Sequence, residues 1–316
     1  MRAFFAVLAV TLLACGPVRA QKEPCAMAGN NNEFLGIQTI RLWPGNAPEA
    51  KGKACEDTPT LTVFEPAKNQ ENGSAVVILP GGAYLHLAGN HEGRQVADWF
   101  TTRGFRAFVL SYRLASHGYP LPVPLLDARR AVQLVRARAR DYQIDPNHIV
   151  IIGFSAGGHL AALSATKFVP GNPEAEDPIE RVSSRPDYLV LGYPWIGALS
   201  ASDSRYLISC EKENPMDRCE ALRTGYSPEL LVTKETPPTF LYHTFNDQAV
   251  PVEQGLRFYE ALVKAGVPSE IHIFPNGPHG IGLGKGDAAL DQWPNLLENW
   301  LRAQGLLSQD KPAAKP

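Results

Sequence analysis

The 316-residue chain carries almost no excess of charge of either sign: 30 Lys and Arg stand against 32 Asp and Glu, for a formal net charge of −2. The basic residues are scattered, which removes the electrostatic footprint of a nucleic-acid or anionic-membrane binder and points to a neutral substrate. Long apolar runs are also missing. The one from Phe4 to Ala14 is too short to span a bilayer. Cysteine is sparse, five in all with no CxxC pair, and no histidine cluster accompanies it, so neither a metal site nor a dithiol motif is supported. His91-Glu92 lacks the second His of HExxH because Gln95 holds that place. The glycines at 280, 282, 284 and 286 fit neither GxGxxG nor a phosphate loop, and no internal repeat is visible.

What is present is an ordinary globular composition, 44% hydrophobic and 20% charged, long enough for one large α/β domain. Residues 1–20 have the layout of an export signal: Arg2, the short apolar run, then Val18-Arg19-Ala20 as a small-residue cleavage site before Gln21. This implies a secreted or periplasmic protein. Leu12-Leu13-Ala14-Cys15 offers an alternative, a lipoprotein-type box that would anchor the chain by lipid at Cys15. Apart from Cys15, four cysteines remain, an even set for an oxidising compartment. Three pairings are possible; the two that are near in sequence, Cys25 with Cys55 and Cys210 with Cys219, are expected.

From residue 61 onward, strand-like and helix-like segments alternate. Strands are expected at Leu61 to Phe64, Ala75 to Leu79, Phe105 to Ser111, His148 to Gly153, Tyr188 to Gly192, Thr239 to Thr244 and Ser269 to Phe274. Helices are expected at Arg94 to Thr102, Leu125 to Tyr142, Gly157 to Phe168, Glu253 to Ala265 and Leu290 to Gln304. The alternation predicts an α/β fold, a mostly parallel sheet covered by helices on both faces. Residues 21–309 are expected to form this single domain, with an N-terminal wrap over 21–60 that carries one strand-like piece, Ile37 to Trp43. An insertion over 196–235 interrupts the alternation and should roof the carboxyl edge of the sheet. The tail 310–316 is expected to be disordered.

The stretch IVIIGFSAGGH, residues 149–159, breaks a β-branched run into small residues around a serine. Gly153-Phe154-Ser155-Ala156-Gly157 suits a sharp strand-to-helix turn, where strained backbone around a nucleophilic Ser155 requires neighbours without bulk. A serine hydroxyl needs a base of near-neutral pKa and a carboxylate to orient that base. Of eight histidines, His279 is the one on a turn directly after an apolar strand, in Asn276-Gly277-Pro278-His279-Gly280. His159 suits a packing role, His148, His243 and His272 fall within or at the start of strands, and His86 and His91 are placed to line a pocket. The acid is sought between Ser and His in sequence, and Asp247, after the strand Thr239 to Thr244, fits; Asp187 and Asp203 are its rivals. Backbone donors for the developing oxyanion are expected from the N–H of Ala156 and from the loop Pro80-Gly81-Gly82-Ala83-Tyr84. Asp127 is expected to be structural, with Arg113 as an ion partner. Tyr84 and Trp195 follow strands on the same edge and are expected either in the core or on the substrate pocket.

The segments LWPGNAP, PGGAY, NHEG, SYRL, DARRAV, GFSAGGHL, HTFNDQAVP and GPHG, spread from about Ile40 to Leu301, resemble the α/β-hydrolase superfamily. Within it they are similar to secreted bacterial acetyl esterases related to acetylxylan and feruloyl esterases. The resemblance implies Ser155 as nucleophile, Asp247 as acid, His279 as base, and Gly82, Ala83 and Ala156 as oxyanion donors, with neither metal nor cofactor. Related esterases often carry His where this chain has Pro80. The implied activity is removal of small acyl groups, acetyl above all, from plant-type polysaccharide or its oligomers. A feruloyl or general short-chain carboxylesterase is the nearest alternative, and a catalytically silent carbohydrate-binding protein is the alternative of another class. No propeller-sized stretch precedes the hydrolase part, which disfavours an exopeptidase, and no pair of carboxylates is placed for glycoside cleavage. The sequence leaves oligomeric state open.

Overall fold

The computed structural model describes residues 25, 34, 37–196, 207–208 and 216–308. The expected export signal, the tail and most of the first half of the insertion lie outside them. The core is one eight-stranded sheet made of β1 (Thr39–Arg41), β2 (Thr60–Phe64), β3 (Ala75–Leu79), β4 (Arg106–Ser111), β5 (Ile149–Phe154), β6 (Tyr188–Gly192), β7 (Thr239–Thr244) and β8 (Ser269–Phe274). Their order is β1-β2-β4-β3-β5-β6-β7-β8. The β1–β2 and β2–β4 pairs are antiparallel and every other pair is parallel. Central strands β3 and β5 are buried along their whole length because both faces are covered, which is why they read as unbroken aliphatic runs.

The covering helices are α1 (Gln95–Thr101), α2 (Val123–Ala137), α3 (Ser155–Thr166), α4 (Met216–Gly225), α5 (Glu253–Lys264) and α6 (Trp293–Ala303). One face of the sheet packs on α2, α3 and α5 through Val132, Leu160 and Phe258; the other packs on α1 and α6 through Phe100, Trp293 and Leu297. The N-terminal segment contributes the edge strand β1, and Phe34 is buried edge-on against Phe64, with 6.1 Å between ring centroids. It is fixed further by the disulfide Cys25–Cys55. Cys219 is also disulfide-bonded, while Cys210 lies outside the described residues.

Many element boundaries shift from the sequence expectation, and the end of α2 and the start of α3 matter most for the site. Helix α2 stops at Ala137 rather than Tyr142, because the chain turns through Gln143 at φ +55° and Tyr142 packs edge-on against Phe108 at 4.9 Å. Helix α3 starts at Ser155 rather than Gly157, so Ser155 is itself the first helical residue. Arg113 and Asp127 form the expected pair, fully buried with Nη2 to Oδ1 at 2.6 Å. The Arg113 N–H also donates to Asp127 Oδ2 at 2.9 Å, which ties α2 to the loop after β4. The parallel strands deliver all their carboxyl ends to one edge of the sheet, where open α/β folds assemble sites.

Candidate active site

Ser155 sits between β5 and α3 at φ +51°, a left-handed conformation that a residue with a Cβ adopts at a cost. Its neighbours show why bulk is excluded. A Cβ on Gly153 would lie 2.1 Å from the Gly157 carbonyl oxygen, and one on Gly157 would lie 2.1 Å from that of Leu79. The turn thus exists only because both positions are glycine, and it lifts Ser155 out of the sheet at the N-terminus of α3.

His279 reaches Ser155 from the loop after β8, with Nε2 2.8 Å from Ser155 Oγ. Its Nδ1 lies 2.7 Å from Asp247 Oδ2. Asp247 occupies the turn after β7 and is itself held: Oδ1 accepts the N–H groups of Ala249 and Val250, both at 2.9 Å. Because Asp247 Oδ2 faces Nδ1, that nitrogen carries the proton and Nε2 is left as the acceptor for the serine hydroxyl. The rival Asp187 stands at the opposite end of the sheet, at the start of β6, where Arg136 binds it at 2.7 Å and it accepts the Ile149 N–H at 3.0 Å. Asp203 lies outside the described residues.

A cavity of about 440 Å³ opens over this relay, lined among others by Gly82, Ala83, Ser155, Ala156, Trp195 and His279. Ala156 is the second residue of α3, where a backbone N–H has no intrahelical acceptor, and the positive end of the helix dipole faces the same space. Gly82 and Ala83 present their backbone from the loop after β3 at φ +125° and +56°. His86 and His91 line the cavity as well.

Tyr84 does not reach the cavity. It is fully buried behind the loop, donating its hydroxyl to His159 Nδ1 at 2.8 Å and standing 6.4 Å, centroid to centroid, from the Trp195 ring. His159 is therefore the packing histidine its helical position implied. Its Nε2 donates to the Tyr226 carbonyl at 2.8 Å, and burial pushes its pKa down to about 4. Trp195 is placed by its own N–H, which donates to the Ser155 carbonyl at 3.0 Å.

Sequence reasoning missed two side chains. His243, on β7, donates Nε2 to the Val250 carbonyl at 2.9 Å and lies 3.5 Å from Asp247 Oδ2; burial lowers its pKa, so it packs behind Asp247 as a neutral ring. Glu92 is buried on the cavity wall with both oxygens engaged, from Gly81 N–H and Tyr193 O–H, each at 2.7 Å. The sequence showed it as part of a failed zinc motif and of the NHEG segment, with no role attached.

A strained serine between β5 and α3, met by a carboxylate and a histidine from the loops after β7 and β8 of a mostly parallel eight-stranded sheet, is the arrangement found in α/β-hydrolase folds. The chain belongs to the α/β-hydrolase superfamily. The BD-FAE family model matches residues 61–184 and the prolyl oligopeptidase family model residues 199–304. An acetyl ester-xyloside bifunctional hydrolase from Caldicellulosiruptor lactoaceticus is 40% identical in sequence, with a TM-score of 0.77 over 86% of this chain and 97% of that one. An esterase from the planctomycete Thermogutta terrifontis, solved with propionate bound, is 26% identical, with a TM-score of 0.70 over 89% of this chain and 98% of that one. An acetylxylan esterase from Xylanibacter ruminicola is 34% identical over 73% of this chain and 46% of its own length. The chain thus spans about half the length of that curated relative.

Proposed function

We propose that the protein is an exported serine esterase that removes small acyl groups, acetyl above all, from plant-type polysaccharide or its oligosaccharides. The observation that carries this is the unbroken hydrogen-bond relay from Asp247 through His279 to Ser155 at the floor of an open cavity. Ser155 Oγ attacks the ester carbonyl carbon while His279 Nε2 takes its proton, and Asp247 stabilises the imidazolium so formed. The carbonyl oxygen becomes an oxyanion facing the N–H groups of Ala156, Gly82 and Ala83. Collapse expels the sugar hydroxyl with the proton held by His279. Water, deprotonated by the same nitrogen, then releases the acyl group as its acid.

Small acylated sugars suit the likeness to relatives named as an acetylxylan esterase and an acetyl ester-xyloside bifunctional hydrolase. Glycoside cleavage is not carried over from those names. Among the described residues Glu92 is the one carboxylate lining the cavity, and its oxygens are already engaged, whereas glycoside hydrolysis generally needs two free carboxyl groups across the bond. Export is supported by the Cys25–Cys55 disulfide and by the layout of residues 1–20, with residues 21–309 as the single mature domain. No described helix is long and apolar enough to cross a membrane.

The test is acetate and ferulate release from acylated xylan, pectin and mannan fragments by the protein and its Ser155→Ala variant. Acetate release that falls by several orders of magnitude in the variant, about 10⁶ in a comparable series, is expected. A variant that keeps more than a tenth of the activity would remove Ser155 from the chemistry. Ferulate release alone would replace the acetyl assignment, and the absence of any ester hydrolysis would leave a silent sugar-binding fold.

A further inference from the structure

The proposed mechanism gives no part to Glu92, although this carboxylate lies on the cavity wall only 2% exposed. It arrives there through a rare piece of backbone. Residues Asn90–Arg94 form a single π-helical turn ahead of α1, with the Arg94 N–H donating to the Gly89 carbonyl at 2.8 Å. Such turns concentrate at functional sites because they aim one side chain that a regular helix would not. The half-exposed His91 imidazole stands 3.8 Å from Glu92 Oε1. A buried carboxylate held mainly by neutral donors costs free energy that a merely structural clip would not require.

Its two oxygens lead in opposite directions. Oε2 accepts the Gly81 N–H at 2.7 Å, directly before Gly82 and Ala83. Gly81 is pressed so close to the nucleophile turn that a Cβ there would lie 2.7 Å from the Phe154 carbonyl oxygen and 3.0 Å from Ser155 Cβ. Oε1 accepts the Tyr193 O–H at 2.7 Å. The Tyr193 oxygen in turn accepts the Gly282 N–H at 2.9 Å, in the loop that bears His279, and the Tyr193 ring stands 5.0 Å from the His279 ring. Burial, reinforced by Glu92, raises the Tyr193 phenol well above its ordinary range, so it stays protonated as a donor. The same frame is closed by Tyr112, whose hydroxyl donates to the Pro80 carbonyl at 2.7 Å. It is closed again by Tyr242 and Trp293, which donate to the Gly282 carbonyl at 3.0 and 3.1 Å.

We propose that Glu92 is a positioning residue for ester hydrolysis, tying the oxyanion loop at Gly81 to the base loop at Gly282 through Tyr193 so that donors and base keep one geometry. The proposal rests on the serine esterase reading. An ionised carboxylate can accept from both sides, whereas a glutamine of the same shape offers one acceptor and one donor. Glu92→Gln therefore breaks one arm of the tie with little change of volume.

The experiment compares wild type, Glu92→Gln, Tyr193→Phe and the double variant in three readouts. These are thermal unfolding, kcat and KM on p-nitrophenyl acetate, and inhibition by an alkyl trifluoromethyl ketone that adds to Ser155 as a tetrahedral adduct. Glu92→Gln is expected to lower kcat about tenfold to a hundredfold with KM little changed, and to weaken the ketone by the same factor. The double variant should be no worse than about twofold below Glu92→Gln, because both substitutions cut one connection. Losses that multiply independently, or a lower Tm with unchanged kcat per folded molecule, would overturn the proposal. Should Glu92→Gln fail to fold, Tyr193→Phe decides alone: reduced kcat and ketone affinity at an unchanged Tm support the tie, and wild-type values for both overturn it. Wild-type protein without Ser155-dependent ester hydrolysis would instead sink the underlying esterase reading.

Discussion

At the scale of single residues, the Ser155 turn was legible because its constraints are local. A β-branched strand, a GxSxG run and a following helix state both the strain and its relief within eleven residues, 149–159. The same steric fact gives a prediction. Gly157→Ala places a methyl 2.1 Å from the Leu79 carbonyl and 2.5 Å from that of Pro80, and backbone atoms cannot swing aside as a side chain could. A loss of about 3 kcal/mol or more is expected from urea unfolding, above the usual overpacking cost because two carbonyls must move. Gly45→Ala, with nothing within 4 Å of its added Cβ, serves as the control and should change stability by no more than about 0.5 kcal/mol. Asp247 and His279 were legible for a related reason: each follows an apolar strand on a short polar turn. Glu92 and His243 were not, since their partners Gly81, Tyr193 and Val250 are brought to them by the fold. Tyr84 was half legible; its place after a strand set its neighbourhood, but not which side of the loop its ring would take.

At the scale of elements, strands were easier to place than helix ends. Ala75 to Leu79 and Thr239 to Thr244 came out to the residue because aliphatic and aromatic runs end at Pro or polar turns. The end of α2 did not, because Arg138 to Gln143 contains no Gly or Pro to signal that Gln143 takes φ +55°. Helix α3 has a second feature that sequence only hinted at, the neutral His159 clamped between Tyr84 and the Tyr226 carbonyl of the insertion. Its folded pKa of about 4 is below the unfolded imidazole value of about 6.5, so between these the unfolded chain binds a proton that the folded chain refuses. The stabilisation is complete above pH 6.5 and is lost as pH falls toward 4, with a slope approaching about 1.4 kcal/mol per pH unit from this residue. His159→Gln can keep both hydrogen bonds without titrating. Urea unfolding at pH 7, 6, 5 and 4 should show a shallower decline in that variant, and parallel curves for the two proteins would exclude His159 as the source. His243, depressed in the same direction, contributes equally to both proteins and cancels in the comparison.

At the scale of the whole molecule, the mostly parallel sheet was legible from alternation and the N-terminal wrap with its strand-like piece was expected, but the strand order was not, nor was most of the wrap's hold on the domain, which is made of single long-range contacts. Strand β1 is three residues long, and the segment is fixed as much by the Arg113 Nη1 bond to the Pro48 carbonyl, at 2.6 Å, and by Cys25–Cys55 as by pairing. Cys55→Ser opens a loop of 30 residues and should destabilise the oxidised protein by about 3–4 kcal/mol in the chain-entropy account. A reducing agent should lower the Tm of the wild type and change the variant less. The packing around the cavity makes the last prediction. Behind the loop after β3 the space is filled by Tyr84, His159 and Trp195, with centroids 5.6 to 6.4 Å apart and Tyr84 fully buried. Trp195 is pinned by its backbone N–H to the Ser155 carbonyl, which ties the aromatic wall to the Ser155 turn. Under the proposed mechanism an acetyl group fits in front of that wall, whereas a long chain must displace rings packed on three sides or lie in solvent. Acetyl esters should therefore exceed octanoyl esters in kcat/KM by at least about tenfold, a difference of about 1.4 kcal/mol in transition-state binding. Because Tyr84 is wedged behind the loop, Tyr84→Ala should narrow that preference by admitting longer chains, at a cost in stability of about 3–5 kcal/mol for the lost ring. Hydrolysis of p-nitrophenyl acetate, butyrate and octanoate by both proteins, measured where each remains folded, decides the matter. Faster wild-type turnover of the octanoate would place the acyl group on a different side of Ser155, and an unchanged preference in Tyr84→Ala would show that the buried ring does not set the limit.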